Sequence, residues 1–295
     1  GEDGLSAWDI ENLDETGKLI SDAERRSMAA ERDTTDRYLA AYLSDRVGAE
    51  FAGRISGVQR FGLHTMIISK ERNYAYLVQT AAMLLELVEL LSAALGVRFE
   101  FINIGGGFGL PYRPDDHPLD LAALSTEITA LFAAFRSKHG YAPRLYMESG
   151  RYMTGGHGVL VTRAINRKET YRTYIGVDAS MSALMRPGMY GAYHHVHVHG
   201  KPNAPTETVD VVGSLCENND KFAVQRDLPH IEPGDLLVIH DTGAHGHAMG
   251  FNYNGRLRPQ ELLLGADGSV KRIRRAETVE DHFATLNFAP DSYHP

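Results

Sequence analysis

The stretch "SLCENNDKFA" holds Cys216, the chain's single cysteine, with Glu217 beside it. A thiol in that position can fill a core, bind a metal, act as a nucleophile or give up a proton. A lone free cysteine more often behaves as a small buried hydrophobe, so core filler is the first reading. "INIGGGFGLPY" puts Gly105, Gly106, Gly107 and Gly109 after an apolar run, where backbone N–H groups can close on an anion. The glycines are contiguous rather than spaced as in a dinucleotide fold, and a tight turn reads the same way. "MESGRYM" sets Glu148, Ser149, Gly150 and Arg151 at the end of a predicted strand. In a (β/α) barrel that end carries chemistry, although an acid near an arginine is also a plain local ion pair. "MRPGMYGAYHHVHVHG" offers Arg186 and Tyr190 on a turn, then His194, His195, His197 and His199. Strand alternation places His195, His197 and His199 on one face, as a metal site or as an ordinary surface strand. A last loop, "HDTGAHGHAMGFNYNGRLRP", carries His245 and His247 at its tip.

These groups need elements to position them. "SDAERRSMAAERDTTDRYLAAYLSDRV" contains neither Gly nor Pro, and Ser21 or Asp22 can cap it, predicting a long charged helix over 21–47. "GAEFAGRISGVQRFGLHTMII" alternates as a strand does. An apolar helix is expected from Asn73 to Leu95, a buried strand in "VRFEFINI", a helix in "LDLAALSTEITALFAAFRSKHG" and another buried strand in "PRLYMESGR". Strand and helix alternate at the spacing of βα units on a parallel sheet. Beyond Gly156 short strands split by Gly, Pro and Asn predict antiparallel β structure, including "GVLVTRAI", "TYRTYIGVD", "GDLLVIHD" and "SVKRIRR". The expected segments are 1–60, 61–155 and 156–295. The fold class is α/β plus β.

Composition narrows the field. At 295 residues and 43% hydrophobic content the chain reads as an ordinary globular protein. One cysteine leaves no intramolecular disulfide and no thiolate cluster for zinc, which suits a reducing cytoplasm. No apolar run is expected to reach a membrane span, and "GEDGLSAWDI" lacks the pattern of a signal peptide. A net charge of −8 argues against a general nucleic-acid binder.

Six motifs in unbroken order carry a family resemblance: "FGLHTMIIS", "FINIGGGFGLPY", "ESGRYM", "GVDASMSALMRPGMYGAYHH", "SLCENNDKFA" and "GDLLVIHDTGAHGHAMGFNYNGRLRP". Over roughly residues 60 to 288 the chain resembles diaminopimelate decarboxylase. The resemblance implies the C-terminal part of an alanine racemase-like TIM barrel, incomplete here, followed by an antiparallel β-domain. It implies pyridoxal 5'-phosphate as cofactor, with Gly106 and Gly107 near the phosphate and Ser69 as a further phosphate-side residue. Glu148 is implied to pair with the pyridine nitrogen. Ser149, Gly150 and Arg151 are implied on the phosphate side, with Arg151 also toward a substrate carboxylate. His245 stands where many relatives have a tyrosine, and imidazole can donate the same hydrogen bond. Arg186, Tyr190 and Glu217 are implied to bind the far end of diaminopimelate, a small amino-acid substrate. Cys216 becomes the proton donor to the carbanion left after CO₂ departs, acting across a homodimer.

The resemblance also implies a lysine bound covalently to the cofactor on the first barrel strand, in a Tyr-Ala-x-Lys-Ala setting. Lys18, Lys70, Lys138, Lys168, Lys201, Lys221 and Lys271 all lack that context. Over residues 1–63 the chain instead resembles ribonuclease R at the join between its catalytic and RNA-binding domains. The carrier is the helix leading into I-S-G-V-x-x-F-G-L at 55–63. The expectation is a decarboxylase-like chain that is inactive as given. The alternatives are a non-catalytic binder of a phosphate ligand or partner subunit, and more distantly an RNA-binding protein, whose phosphates the acidic N-terminal segment repels.

Overall fold

The computed structural model describes residues 62–67 and 69–286. The helix expected over 21–47, the strand before Phe61 and any strand from residues 1–20 lie outside the described residues. In the first part, β1 (Gly62–His64), β2 (Phe101–Asn103) and β3 (Arg144–Tyr146) form a parallel sheet in that order. Each connection crosses over through a helix, α1 (Tyr74–Leu95) and then α2 (Leu121–His139). Asn73 opens α1 by accepting from Ala75 N–H at 3.0 Å, and Asp120 opens α2 by accepting from Ala123 N–H at 2.9 Å. Gly96 and Gly140 end the two helices in the left-handed conformation. Leu77, Ala81, Leu84, Leu85 and Val88 recur at helical spacing and bury against Ile102, Ile104, Leu124, Ile128 and Phe135.

Two expectations change here. β3 is not buried. Its Arg144 and Tyr146 are exposed, because among the described residues it is an edge strand with one neighbour. Helix α1 is long and apolar enough to cross a membrane, contrary to the expectation that no segment would be. Its buried stripe and its packing on α2 and β2 are those of a core helix.

The second part begins with the short helix α3 (Gly150–Thr154) and then β4 (Leu160–Glu169). A six-stranded sheet follows in the order β6-β9-β4-β5-β7-β8, from Val196–Val198, Leu236–Ile239, β4, Thr173–Val177, Thr206–Val212 and Lys221–Pro229. The sheet is antiparallel except where β5 pairs with β7 in parallel, so the expected antiparallel domain is mixed. Its core is continuous, from Ile175, Val177, Val196 and Val198 through Phe222, Ile231, Leu237 and Ile239. A hairpin of β10 (Glu261–Leu264) and β11 (Val270–Arg274) lies beyond, with Leu262, Leu263 and Val270 exposed. One short helix, α4 (Arg186–Tyr190), interrupts the strands and sets up the site.

Candidate active site

The glycine loop follows β2 directly. Asn103 turns its side chain back, accepting from Gly105 N–H at 2.9 Å and donating to Glu148 Oε1 at 2.7 Å. Glu148 N–H in turn donates to Gly105 O at 2.8 Å, so the ends of β2 and β3 are tied together. A Cβ on Gly106 would lie 2.8 Å from Glu148 O, which explains a glycine there by contact alone. His64, at the end of β1, places Nε2 3.7 Å from Glu148 Oε1. The carboxylate therefore stands at the C-terminal ends of all three parallel strands, where open α/β sheets bind ligands. Glu148 is exposed, and its neighbour Ser149 has a buried Oγ with no hydrogen-bond partner among the described residues. Arg151 is likewise half-buried with an unpartnered Nε. It forms no ion pair with Glu148 among the described residues, so the local-pair reading is set aside.

The β-domain reaches this point through its last loop. Gly243 N–H donates to Gly155 O at 3.0 Å and Thr242 N–H to Gly158 O at 2.9 Å, docking the loop behind α3. His245, at the tip, has a positive φ of 58°. Burial lowers its pKa first, and the nearby Arg151 and Arg186 guanidiniums lower it further. Arg186 is 3% exposed and gives its Nη1 hydrogen bond to His194 Nε2 at 2.8 Å. Tyr112, from the end of the glycine loop, lies under Arg186 with 5.2 Å between guanidinium carbon and ring centre. Residues from both sheets thus meet at one junction: Gly105–Gly107, Tyr112, Glu148, Ser149, Gly150, Arg151, Arg186 and His245.

Four expected residues stand apart from it. Cys216 is an exposed free thiol, which overturns the reading of a buried filler. Its loop is held by Asp220, whose carboxylate accepts from Met181 N–H and Leu215 N–H, each at 2.7 Å. Glu217 accepts from Asn219 N–H at 3.0 Å, and Tyr190 projects into solvent from the end of α4. Ser69 is exposed beside the contact that matters, in which Glu71 N–H donates to Gly107 O at 2.8 Å. The histidine strand is a surface strand: Val196 and Val198 are buried while His197 bonds His240, just after β9, at 2.7 Å. Among the described residues, no three His, Cys, Asp or Glu side chains are arranged to hold a metal ion. The sequence reading passed over His194. Its parity with Val196 and Val198 marks the buried face, and that was the available signal.

Comparison with known proteins decides the family. The model of the "Pyridoxal-dependent decarboxylase, C-terminal sheet domain" matches residues 38–243. The chain belongs to the pyridoxal-dependent decarboxylases. Protein TabA of Pseudomonas amygdali pv. tabaci is 52% identical over 241 residues, 81% of this chain and 57% of its own length. Diaminopimelate decarboxylase of Methanothermobacter thermautotrophicus is 40% identical over 227 residues, 76% of this chain and 53% of that protein. Crystal structures of the M. jannaschii diaminopimelate decarboxylase, one in co-complex with L-lysine, superpose with a TM-score of 0.71 at 34% identity. They cover 78% of this chain and 52% of theirs. The chain spans about half the length of these relatives of the family. The family match begins at residue 38, inside the segment read as ribonuclease R-like.

Proposed function

We propose that this chain carries the cofactor-phosphate, pyridine-nitrogen and substrate-carboxylate side of a decarboxylase acting on meso-2,6-diaminopimelate. The carrying observation is the carboxylate of Glu148, fixed by Asn103 at the mouth of the glycine loop beside the unpartnered Ser149 Oγ and Arg151 Nε. These donors fit a phosphate, which takes hydrogen bonds from backbone N–H, hydroxyl and guanidinium groups together. Gly106, Gly107, Ser149, Gly150, Arg151 and His245 would hold the phosphate of pyridoxal 5'-phosphate, with Ser69 at its rim. Glu148 would face the pyridine nitrogen, where a carboxylate keeps the ring protonated. When bound, the cofactor supplies an electron sink for the charge left as CO₂ departs. Three lysines among the described residues are placed away from a covalent role on the cofactor: Lys138 pairs with Glu89, Lys201 with Asp235, and Lys70 is exposed on a bend.

One substrate carboxylate would go to Arg151, and the distal end, with its own carboxylate, to Arg186, Tyr190 and Glu217. Cys216, exposed on an ordered loop, would give the proton in a neighbouring subunit's site. A thiol is a competent acid near neutral pH. That role requires a homodimer. The assignment of diaminopimelate rests on relatives 31–40% identical, since the relative at 52% bears no substrate in its name. We assign residues 61–155 to the partial barrel, 156–295 to the β-domain and 1–60 to the ribonuclease R-like segment, on the motif at 55–63. The likenesses to the two families overlap over 38–63.

The test is titration of pyridoxal 5'-phosphate into the 295-residue chain, read by the cofactor's absorbance. Arg151→Ala should weaken binding about tenfold or more, the loss of one charge-assisted hydrogen bond. Equal affinity of Arg151→Ala and the unsubstituted chain would sink the reading.

A further inference from the structure

We infer that His194 is a positioning residue, a neutral imidazole that holds the buried Arg186 guanidinium without neutralising it and so keeps its charge available to a carboxylate ligand. The inference deepens the proposed decarboxylase site and rests on that reading for the identity of the ligand.

Geometry fixes the tautomer. His194 is fully buried, with Nδ1 2.8 Å from the carbonyl oxygen of His240 and Nε2 2.8 Å from Arg186 Nη1. A carbonyl only accepts and a guanidinium only donates. The proton must therefore sit on Nδ1, and Nε2 must be the acceptor. An imidazolium would turn a second N–H against the guanidinium. Every charged group near the ring opposes that state. Arg186 and Arg151 lie close by, and Arg226 from β8 donates to the His194 carbonyl at 3.1 Å. Tyr112 closes the remaining side with an edge contact at 5.4 Å. Burial first, then those cations, bring the His194 pKa down to about 4.

What this does for Arg186 is unusual. A buried guanidinium normally has a carboxylate beside it, because the charge is costly to desolvate. Among the described residues Arg186 forms no ion pair. Its partners are an imidazole lone pair and the face of Tyr112. Asp241 is close enough to feel it, and burial pushes that carboxyl's pKa up. Neutral partners orient the guanidinium and leave its positive charge unspent. An acid at position 194 would hold it equally well and cancel it.

That contrast supplies the experiment. The full chain, saturated with pyridoxal 5'-phosphate, is titrated with meso-diaminopimelate by calorimetry. His194→Gln keeps an acceptor for Arg186 and a donor for the His240 carbonyl, and should bind within about threefold of the unsubstituted chain. His194→Glu should lose about thirtyfold or more while remaining folded, because an internal ion pair replaces the ligand's carboxylate. Binding by His194→Glu at the original affinity would show a merely structural contact and overturn the inference. The ring ¹⁵N shifts of His194 are recorded on the same samples without ligand. An Nδ1–H tautomer that stays neutral at pH 6 is expected, and an Nε2–H tautomer or an imidazolium there overturns the inference regardless of binding. Failure of the unsubstituted chain to bind diaminopimelate, with the expected tautomer present, overturns the substrate assignment rather than the role of His194.

Discussion

The two sheets of this chain are built to different degrees of closure. The six-stranded sheet encloses its own core: Ile175, Val211, Phe222, Leu237 and Ile239 are almost wholly removed from water, and strands β9, β4, β5 and β7 each have two neighbours. The three-stranded parallel sheet buries one side against α1 and α2, while Met66, Ile67, Tyr146 and Met147 remain exposed near the ends of β1 and β3. A barrel with a side-chain-filled interior takes about eight strands, so the three among the described residues make a wall and no enclosure. The site sits where the closed part meets the wall. Arg186, His194 and His245 come from a self-sufficient scaffold, whereas the glycine loop and Glu148 come from one that is not.

The largest effect expected from this contrast is on activity. The 295-residue chain alone should release no CO₂ from meso-diaminopimelate above background, a loss on the order of 10⁵-fold, as removal of covalent capture and ring-face positioning implies. Borohydride reduction in the presence of pyridoxal 5'-phosphate should trap no lysine adduct. A second polypeptide carrying the N-terminal half of a relative's barrel should raise turnover, since the proposed roles of the Glu148 carboxylate and the Arg151 guanidinium need no residue from that half. Turnover by the chain alone, with an adduct at Lys70 or Lys221, would break the comparison outright.

Next come the two cores. Phe222→Ala should destabilise the closed sheet by about 3–5 kcal/mol, the usual cost of deleting a buried aromatic where the surroundings cannot collapse. Ile102→Ala, equally buried in the parallel sheet, should cost about 1 kcal/mol less than the 2–5 typical of a closed core, because an open-edged sheet can settle. Hydrogen exchange should show the same order, with amides of β5, β7 and β9 protected to the global unfolding limit and those of β1 and β3 opening earlier. A single cooperative transition with equal protection in both sheets would remove the distinction.

Much of this division could be read from the residues. The helix expected from Asn73 to Leu95 and the one expected in "LDLAALSTEITALFAAFRSKHG" are both present, bounded by Asn73 and Gly96 and by Asp120 and Gly140. The short strands after Gly156 follow from the Gly, Pro and Asn residues that split them. Two things were not legible. The exposure of β3 depends on which strand lies beside it, and sequence cannot supply a missing neighbour. The burial of Arg186 is the other, because a charged residue in "MRPG" reads as a turn until His194 and Tyr112 are seen to enclose it. The exposure of Cys216 was hidden from the buried-filler reading for a similar reason. Its residue type favours burial, but Asp220 gathers the loop inward by its own hydrogen bonds and leaves the thiol outside.

A smaller, pH-dependent effect belongs to the closed sheet. Glu207 on β7 accepts two hydrogen bonds from Arg167, at 2.7 and 2.9 Å, and lies 2.8 Å from His230 Nδ1. The Arg167 guanidinium holds its pKa down to about 2. Because the folded value lies below the unfolded one, the stabilisation is complete above the usual carboxylate range and is lost as pH falls through about 2. Solvent reaches both partners, so about 1–2 kcal/mol is the expected size. Chemical denaturation at pH 7 should show Glu207→Gln less stable by that amount. The gap should narrow as pH falls from 4.5 toward 2. A pH-independent gap would place the effect in packing rather than charge.

The smallest effect is the most direct comparison, because the same chemical change can be made in both parts. Gly140 ends α2 with φ of 70°, and Gly200 follows β6 with φ of 77°; a Cβ at either would meet nothing within 4 Å. Alanine at each position therefore costs only the left-handed backbone strain, about 1 kcal/mol, offset in part by a stiffer unfolded chain. The local penalty is the same, so any difference in its consequence reports how each part is coupled to the whole. In the closed sheet, Gly200→Ala should lower the midpoint of global unfolding by the full penalty. At the end of α2, Gly140→Ala should appear mainly as faster exchange in the last turn of the helix, around Arg136 and His139, with little change in the global midpoint. The Gly140 N–H that bonds Arg136 O at 2.8 Å is the reporter for that fraying. Should both variants lower the midpoint equally, the parallel sheet is folded as firmly as its neighbour, and the contrast in stability between the two sheets is gone.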